Sequence, residues 1–187
     1  MTTFNEKKAT QAAALFLKLA GNHLNFMVLI KLLYLAEREA LSRWARPVVN
    51  DEYFSMKFGP VLSHVHDLIT ETPALDEGSF WARHISAPSR FEVTLLEDPG
   101  DDELSEAEED LIRQTYEQYK GFKDRPFDFV KYLHSVLPEW ERVTEGRCKE
   151  ISIRSILMAL RKSTDEINQI EEDLNQVRLV HSLFGVA

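Results

Sequence analysis

Leu29-Ile30-Lys31-Leu32-Leu33-Tyr34-Leu35-Ala36, with Phe58-Gly59-Pro60-Val61 following it along the chain, is the stretch that decides the fold. From Leu24 to Ala36 the only charged side chain is Lys31. A helix that is apolar nearly all round must lie between other elements, so this segment is predicted to be the central core helix. Pro60 is predicted at the first turn of a further helix, where its missing N–H costs no hydrogen bond, with Gly59 freeing the backbone before it.

Working outward, Ala9, Ala12, Ala13, Phe16, Leu17 and Ala20 recur at helical spacing, and Gly21-Asn22 stops that first helix. Asn25 can cap the central helix, which runs to about Trp44 before Pro47 ends the segment. Between Asp51 and Phe58, alternation of Phe54, Met56 and Phe58 with Tyr53, Ser55 and Lys57 suits a short strand. The helix expected from Pro60 to about Glu71 turns Val61, Val65, Leu68 and Ile69 inward, and Pro73 closes it.

The texture changes at 79–97, where Phe91, Val93 and Leu95 alternate with Glu92 and Thr94, and a β-hairpin is predicted. Ser105-Glu106-Ala107-Glu108 is a capping box that opens a helix to about Lys120. Pro126 can start a helix carrying Phe127, Phe129, Val130, Leu133 and Val136. Two more helices follow, Ile151 to Lys162 and a long run after Ser163. In the second, Ile167, Ile170, Leu174, Val177, His181 and Phe184 form a near-heptad seam. That seam can serve as an internal packing face or as a partner-binding helix.

The predicted fold is therefore mainly α, a compact bundle of about six to seven helices around a central hydrophobic helix, with a small β-strand/hairpin insertion. Residues 1–150 are assigned to a helical domain that includes the hairpin at about 79–97. Residues 151–187 are assigned to C-terminal helices packed on, or extending, the same domain.

Composition narrows the function. With 187 residues and 44% hydrophobic content the chain can fill one core. Its longest apolar stretch falls short of the roughly 20 residues that cross a bilayer, and the N-terminus lacks a signal-peptide layout, so no membrane partner and a cytoplasmic location are expected. Cys148 is the only cysteine, which rules out an internal disulfide. Thirty-one acidic and 22 basic residues give a net charge of −9, which opposes nucleic acid and suits the masking of a basic partner. Nine carboxylates between Glu97 and Asp110 read as a solvated linker running into an acidic helix start.

Catalytic signals are missing. His64-Val65-His66-Asp67 is the best local histidine cluster, but no third ligand stands at a diagnostic spacing, so no metal is expected. Cys148 has no adjacent histidine, and none of the seven glycines builds a phosphate loop. Neither catalytic residues nor a cofactor are assigned. Lys31 is the one residue open to a catalytic reading, because a buried lysine can have a depressed pKa; a snorkelling or ion-paired structural lysine is preferred.

Lys31 to Ala36, Pro47, Tyr53 and Phe58-Gly59-Pro60-Val61, and then Leu104-Ser105, Tyr116, Tyr119, Leu133-His134 and Glu139-Trp140, together resemble the Panacea family, the SocA-like antitoxin domain. The resemblance spans about Glu6 to Trp140. Ala45-Arg46-Pro47 departs from it, since the family usually has glycine before that proline, and no added DNA-binding module is visible. The resemblance implies an antitoxin of a bacterial or phage toxin-antitoxin system, a binding module and not an enzyme, whose partner is a cognate toxin protein neutralised by direct binding. Two alternatives stay open: a proteolytic adaptor that hands the toxin to a cellular protease, and an enzyme using an unassigned polar pocket. A homo-oligomer through the C-terminal helix is a further expected association.

Lys31, Leu33, Tyr34, Gly59, Pro60, Val61, His134 and Trp140 are motif positions read as structural. For partner contact the candidates are Tyr53, Phe54, Lys57, the hairpin residues Trp81 and Phe91, and Glu171 and Arg178 on the last helix.

Overall fold

The computed structural model describes residues 4–71 and 78–184, except for the side chains of Arg178, His181, Ser182 and Phe184. Pro73 lies outside the described residues.

Helix α1 (Glu6–Leu19) is capped by Asn5, whose side chain accepts from the Lys8 N–H. Strand β1 (His23–Asn25) leads into α2 (Phe26–Trp44), and Asn25 caps it by accepting from the Met27 N–H. As predicted, α2 is the centre of the molecule: every residue from Val28 to Glu37 is buried, Lys31 among them. Helix α1 packs against α2, and α5 (Glu106–Tyr119) packs against both. The expected Ser105–Glu108 capping box is present in full.

Strand β2 (Tyr53–Met56) matches the alternation, but the segment after it corrects the sequence reading. Gly59–Leu62 is strand β3, antiparallel to β2 with Ser55 opposite Pro60, and α3 (Ser63–Glu71) begins three residues later than expected. Proline fits here because β3 is an edge of the sheet ordered β3-β2-β5, with β5 formed by Lys149–Glu150, and an edge tolerates a missing donor. The helix start is supplied from a distance: Asp51 Oδ1 accepts from the His64 N–H at 3.0 Å, and Oδ2 accepts from Val65 at 3.0 Å. A carboxylate at that end also suits the helix dipole.

Residues 79–97 are a hairpin only in their second half. Phe80–His84 forms α4, the helix the sequence reading lacked. Ser79 caps it, and Glu6 Oε1 accepts from the Trp81 N–H at 2.8 Å. A tight turn then pairs Ser89 with Glu92, and β4 (Glu92–Thr94) runs antiparallel to β1.

Helix α6 (Pro126–Val136) starts at its proline as expected. Strand β5 (Lys149–Glu150) joins β2, α7 spans Ile153–Ala159 and α8 spans Thr164–Phe184. Ile151, Ile156, Leu157, Ile167 and Ile170 enter the same hydrophobic core as Leu29 and Leu33, so the C-terminal helices are rooted in the main body. Beyond Leu174, Val177, Val180 and Leu183 of α8 are exposed.

Candidate partner-binding site

Lys31 points from the middle of α2 at the β2–β3 hairpin. It is 3% exposed, and its Nζ donates to the Pro60 carbonyl at 2.8 Å. No carboxylate pairs with it among the described residues. It neither snorkels nor forms the expected ion pair, and burial lowers its pKa to about 7. Gly59 has φ +100, and a Cβ there would stand 3.1 Å from Lys31 Cε and 3.7 Å from His134 Nε2. Glycine is what lets the hairpin close this tightly over the lysine.

The remaining motif positions extend that brace. The His134 ring stacks on Trp140 with centroids 3.7 Å apart, and Trp140 Nε1 donates to the Met56 carbonyl at 3.1 Å. His134 Nε2 is buried without a hydrogen-bond partner in the described structure, and its pKa is lowered by burial and by the charges of Lys31 and Arg142. Tyr34 donates to Glu139 Oε1 at 3.0 Å, where Arg38 Nε donates at 2.7 Å. Leu33 and Val61 are core residues. These motif residues thus join α2, the hairpin and the end of α6.

Against this brace lies an open hollow of about 540 Å³, with Lys31 in its lining. Phe26, Met27 and Ile30 of α2, Met56, Phe58 and Val61 of the hairpin, Phe91 and Phe127 supply apolar walls, while Lys57, His66, Glu145 and Arg147 are polar lining. A neighbouring hollow of about 560 Å³ shares Phe58 and Phe127 and reaches His134 and Trp140. Phe58, Phe91 and Phe127 are 43%, 67% and 65% exposed. Three exposed aromatic rings around one concavity are the composition of a protein contact surface.

One ring is held by strained backbone. Arg90 (φ 52) and Phe91 (φ 70) are consecutive left-handed residues in the turn closed by Ser89 and Glu92, positions where Asn-Gly is the favoured pair. The turn is locked to α2 by the Phe26 N–H, which donates to the Phe91 carbonyl at 2.9 Å. Strain of this kind, at about 1–3 kcal/mol per residue, clusters at functional positions.

Of the residues expected at a partner interface, Lys57 and Phe91 line this hollow. Tyr53 and Trp81 are corrected: they are 3% and 0% exposed and cannot meet a partner. The Tyr53 hydroxyl donates to Glu37 Oε2 at 2.7 Å, and Trp81 is core because α4 turns it inward. Phe54 is half-buried within the sheet. Glu171 lies remote from the hollow, paired with Arg154, and the Arg178 side chain lies outside the described residues. Phe58, Phe127 and Arg147 also line the hollow and are not among the candidates from the sequence. Phe127 stands two residues from the inward Phe129, on the opposite face of α6, which is a legible sign of an outward ring.

Chemically, the hollow offers apolar contact and cationic donors, and Lys57 Nζ in its lining donates to Glu145 Oε2 at 3.0 Å. A further concavity of about 420 Å³ is lined by Asp51, Glu52, Glu150 and Glu171. The Asp51 carboxylate there is already occupied by α3 and by His64 Nδ1 at 2.7 Å. Among the described residues no three His, Cys, Asp or Glu side chains converge as a metal site, and no helix is long and apolar enough to cross a membrane.

Neither a curated protein nor a solved structure gives a significant match to the chain. A family match does exist, over residues 29–141, and it takes in the whole brace from Lys31 through Gly59 and His134 to Trp140. Because that match covers more than half of the sequence, the chain belongs to the family described as antitoxin SocA-like, Panacea domain.

Proposed function

We propose that this protein is the antitoxin of a bacterial or phage toxin-antitoxin pair and neutralises its toxin by direct binding through the aromatic-rimmed hollow. The observation that carries the reading is the exposure of Phe58, Phe91 and Phe127 around one concave surface, with Phe91 held there by two left-handed residues. Family membership supports the antitoxin role. The largely apolar walls of the hollow support contact with a partner, and the Lys57–Glu145 pair in its lining is a salt bridge at 3.0 Å. The brace behind it keeps the surface preformed, which limits the ordering cost of association.

The test is co-expression with the adjacent reading frame, followed by purification. Growth rescue with co-elution of the two proteins is expected, lost on Phe58→Ser/Phe127→Ser with unchanged melting. Rescue that needs a cellular protease and leaves no stable complex would overturn direct neutralisation.

A further inference from the structure

Lys31 lines an otherwise largely apolar hollow with its charge uncompensated. Its ammonium has three donors, and the acceptor within reach among the described residues is the Pro60 carbonyl. A buried cation in that state favours any anion that can reach it, since burying a charge without a counter-charge is costly. Of the other charged groups in the lining, Lys57 and Glu145 pair with each other at 3.0 Å, which leaves Arg147 as the further cationic side chain, on a chain whose net charge is −9. Helix α6 begins at this hollow, through Pro126 and Phe127 with no side-chain cap, and a helix N-terminus favours negative charge, whereas the first N–H groups of α2 are already taken by Phe91 and Asn25. A volume of about 540 Å³ is that of a small-ligand site.

We propose that the hollow is a binding site for a small organic acid with an apolar body, its carboxylate received by Lys31 Nζ and its body lying against Ile30, Phe58 and Phe127. The acid is measured on the chain without a toxin, and a toxin docked on Phe58 and Phe127 would compete with it.

The experiment is calorimetric titration of the full chain at pH 6, where Lys31 carries its proton, with decanoate, decan-1-ol and acetate, repeated with Lys31→Met and with Met27→Trp, which narrows the hollow and leaves the lysine in place. Decanoate is expected to saturate at one per chain, with decanol and acetate each at least about 10-fold weaker. Lys31→Met should erase the preference for decanoate over decanol. Met27→Trp should weaken decanoate by about 10-fold or more with unchanged helical circular dichroism, and it decides the matter should Lys31→Met not fold. Absence of saturable decanoate binding, or an undiminished preference in Lys31→Met, overturns the proposal. So does tight binding of a leucine-terminated peptide without binding of decanoate, which would assign the hollow to a partner's C-terminus.

Discussion

Lys31 Nζ donates to the Pro60 carbonyl at 2.8 Å, so a cation in the middle of the central helix is held by one backbone acceptor of the hairpin. Its folded pKa of about 7 lies below the ordinary 10.5. Below pH 7 both folded and unfolded chains carry the proton, and the cost of burying the charge is felt in full. Between about 7 and 10.5 the folded chain has released the proton while the unfolded chain keeps it, so stability rises with pH across that window. Lys31→Met keeps the stem and removes the charge. It should be more stable than the native chain by about 1–3 kcal/mol at pH 6, with the gain shrinking toward pH 10. Urea denaturation at the two pH values checks this; a gain of equal size at both would sink it.

Gly59 and Pro60 should separate cleanly. Gly59→Ala places a Cβ at φ +100 and 3.1 Å from Lys31 Cε, and a loss of about 1–3 kcal/mol is expected. Pro60→Ala keeps the strand geometry on an edge and frees only the unfolded chain, for about 0.4–1 kcal/mol. Denaturation midpoints of the two variants measure the order. Loss of toxin neutralisation in Pro60→Ala with unchanged melting would show that the residue is an interface element and not scaffold.

The sequence made the helical framework legible because its signals were local. Asn25, the Ser105–Glu108 box and Pro126 each set a helix start by chemistry within a turn of it. What could not be read depended on groups far apart in the chain. Pro60 looked like a helix start, yet Ser55 opposite it and Asp51 reaching α3 decide that the helix begins at Ser63. Phe80-Trp81 looked like a strand, and the Glu6 carboxylate accepting from Trp81 helps make it helical. The hollow was half visible: Lys57 and Phe91, candidates from the sequence, line it, while Tyr53 and Trp81 misled because aromatic side chains suit an interface and a core equally well.

Ala45 is the C-cap of α2 with φ 57 and ψ 20, a left-handed conformation that suits glycine. Pro47 follows two residues later and fixes where the helix must stop. Ala45→Gly should relieve the Cβ penalty and stabilise the chain by about 0.5–1 kcal/mol, despite the extra freedom it gives the unfolded state. Thermal melting provides the comparison, with a rise of about 1–4 °C expected for a chain of this size. A fall in melting temperature would mean that the Ala45 methyl group contributes packing that outweighs the strain.

The turn carrying Phe91 offers the sharpest separation of fold from function. Replacing Arg90 and Phe91 with Asn-Gly installs the pair that this mirror-image turn prefers, with Ser89 and Glu92 retained as the closing residues. Removing two left-handed non-glycine residues should raise stability by about 1–2 kcal/mol, offset in part by loss of the Phe26–Phe91 contact at 6.3 Å. The same change deletes the most exposed of the three rings around the hollow. The double variant should therefore melt higher and bind the toxin at least about 10-fold more weakly in a pull-down titration, because aromatic anchors carry a disproportionate share of interface energy. Higher stability with undiminished toxin binding would show that the strain serves no contact and would move the interface off this face. Lower stability with weaker binding would instead mean that Phe91 acts through its packing on Phe26, and Phe91→Leu, which keeps that packing, would then restore both.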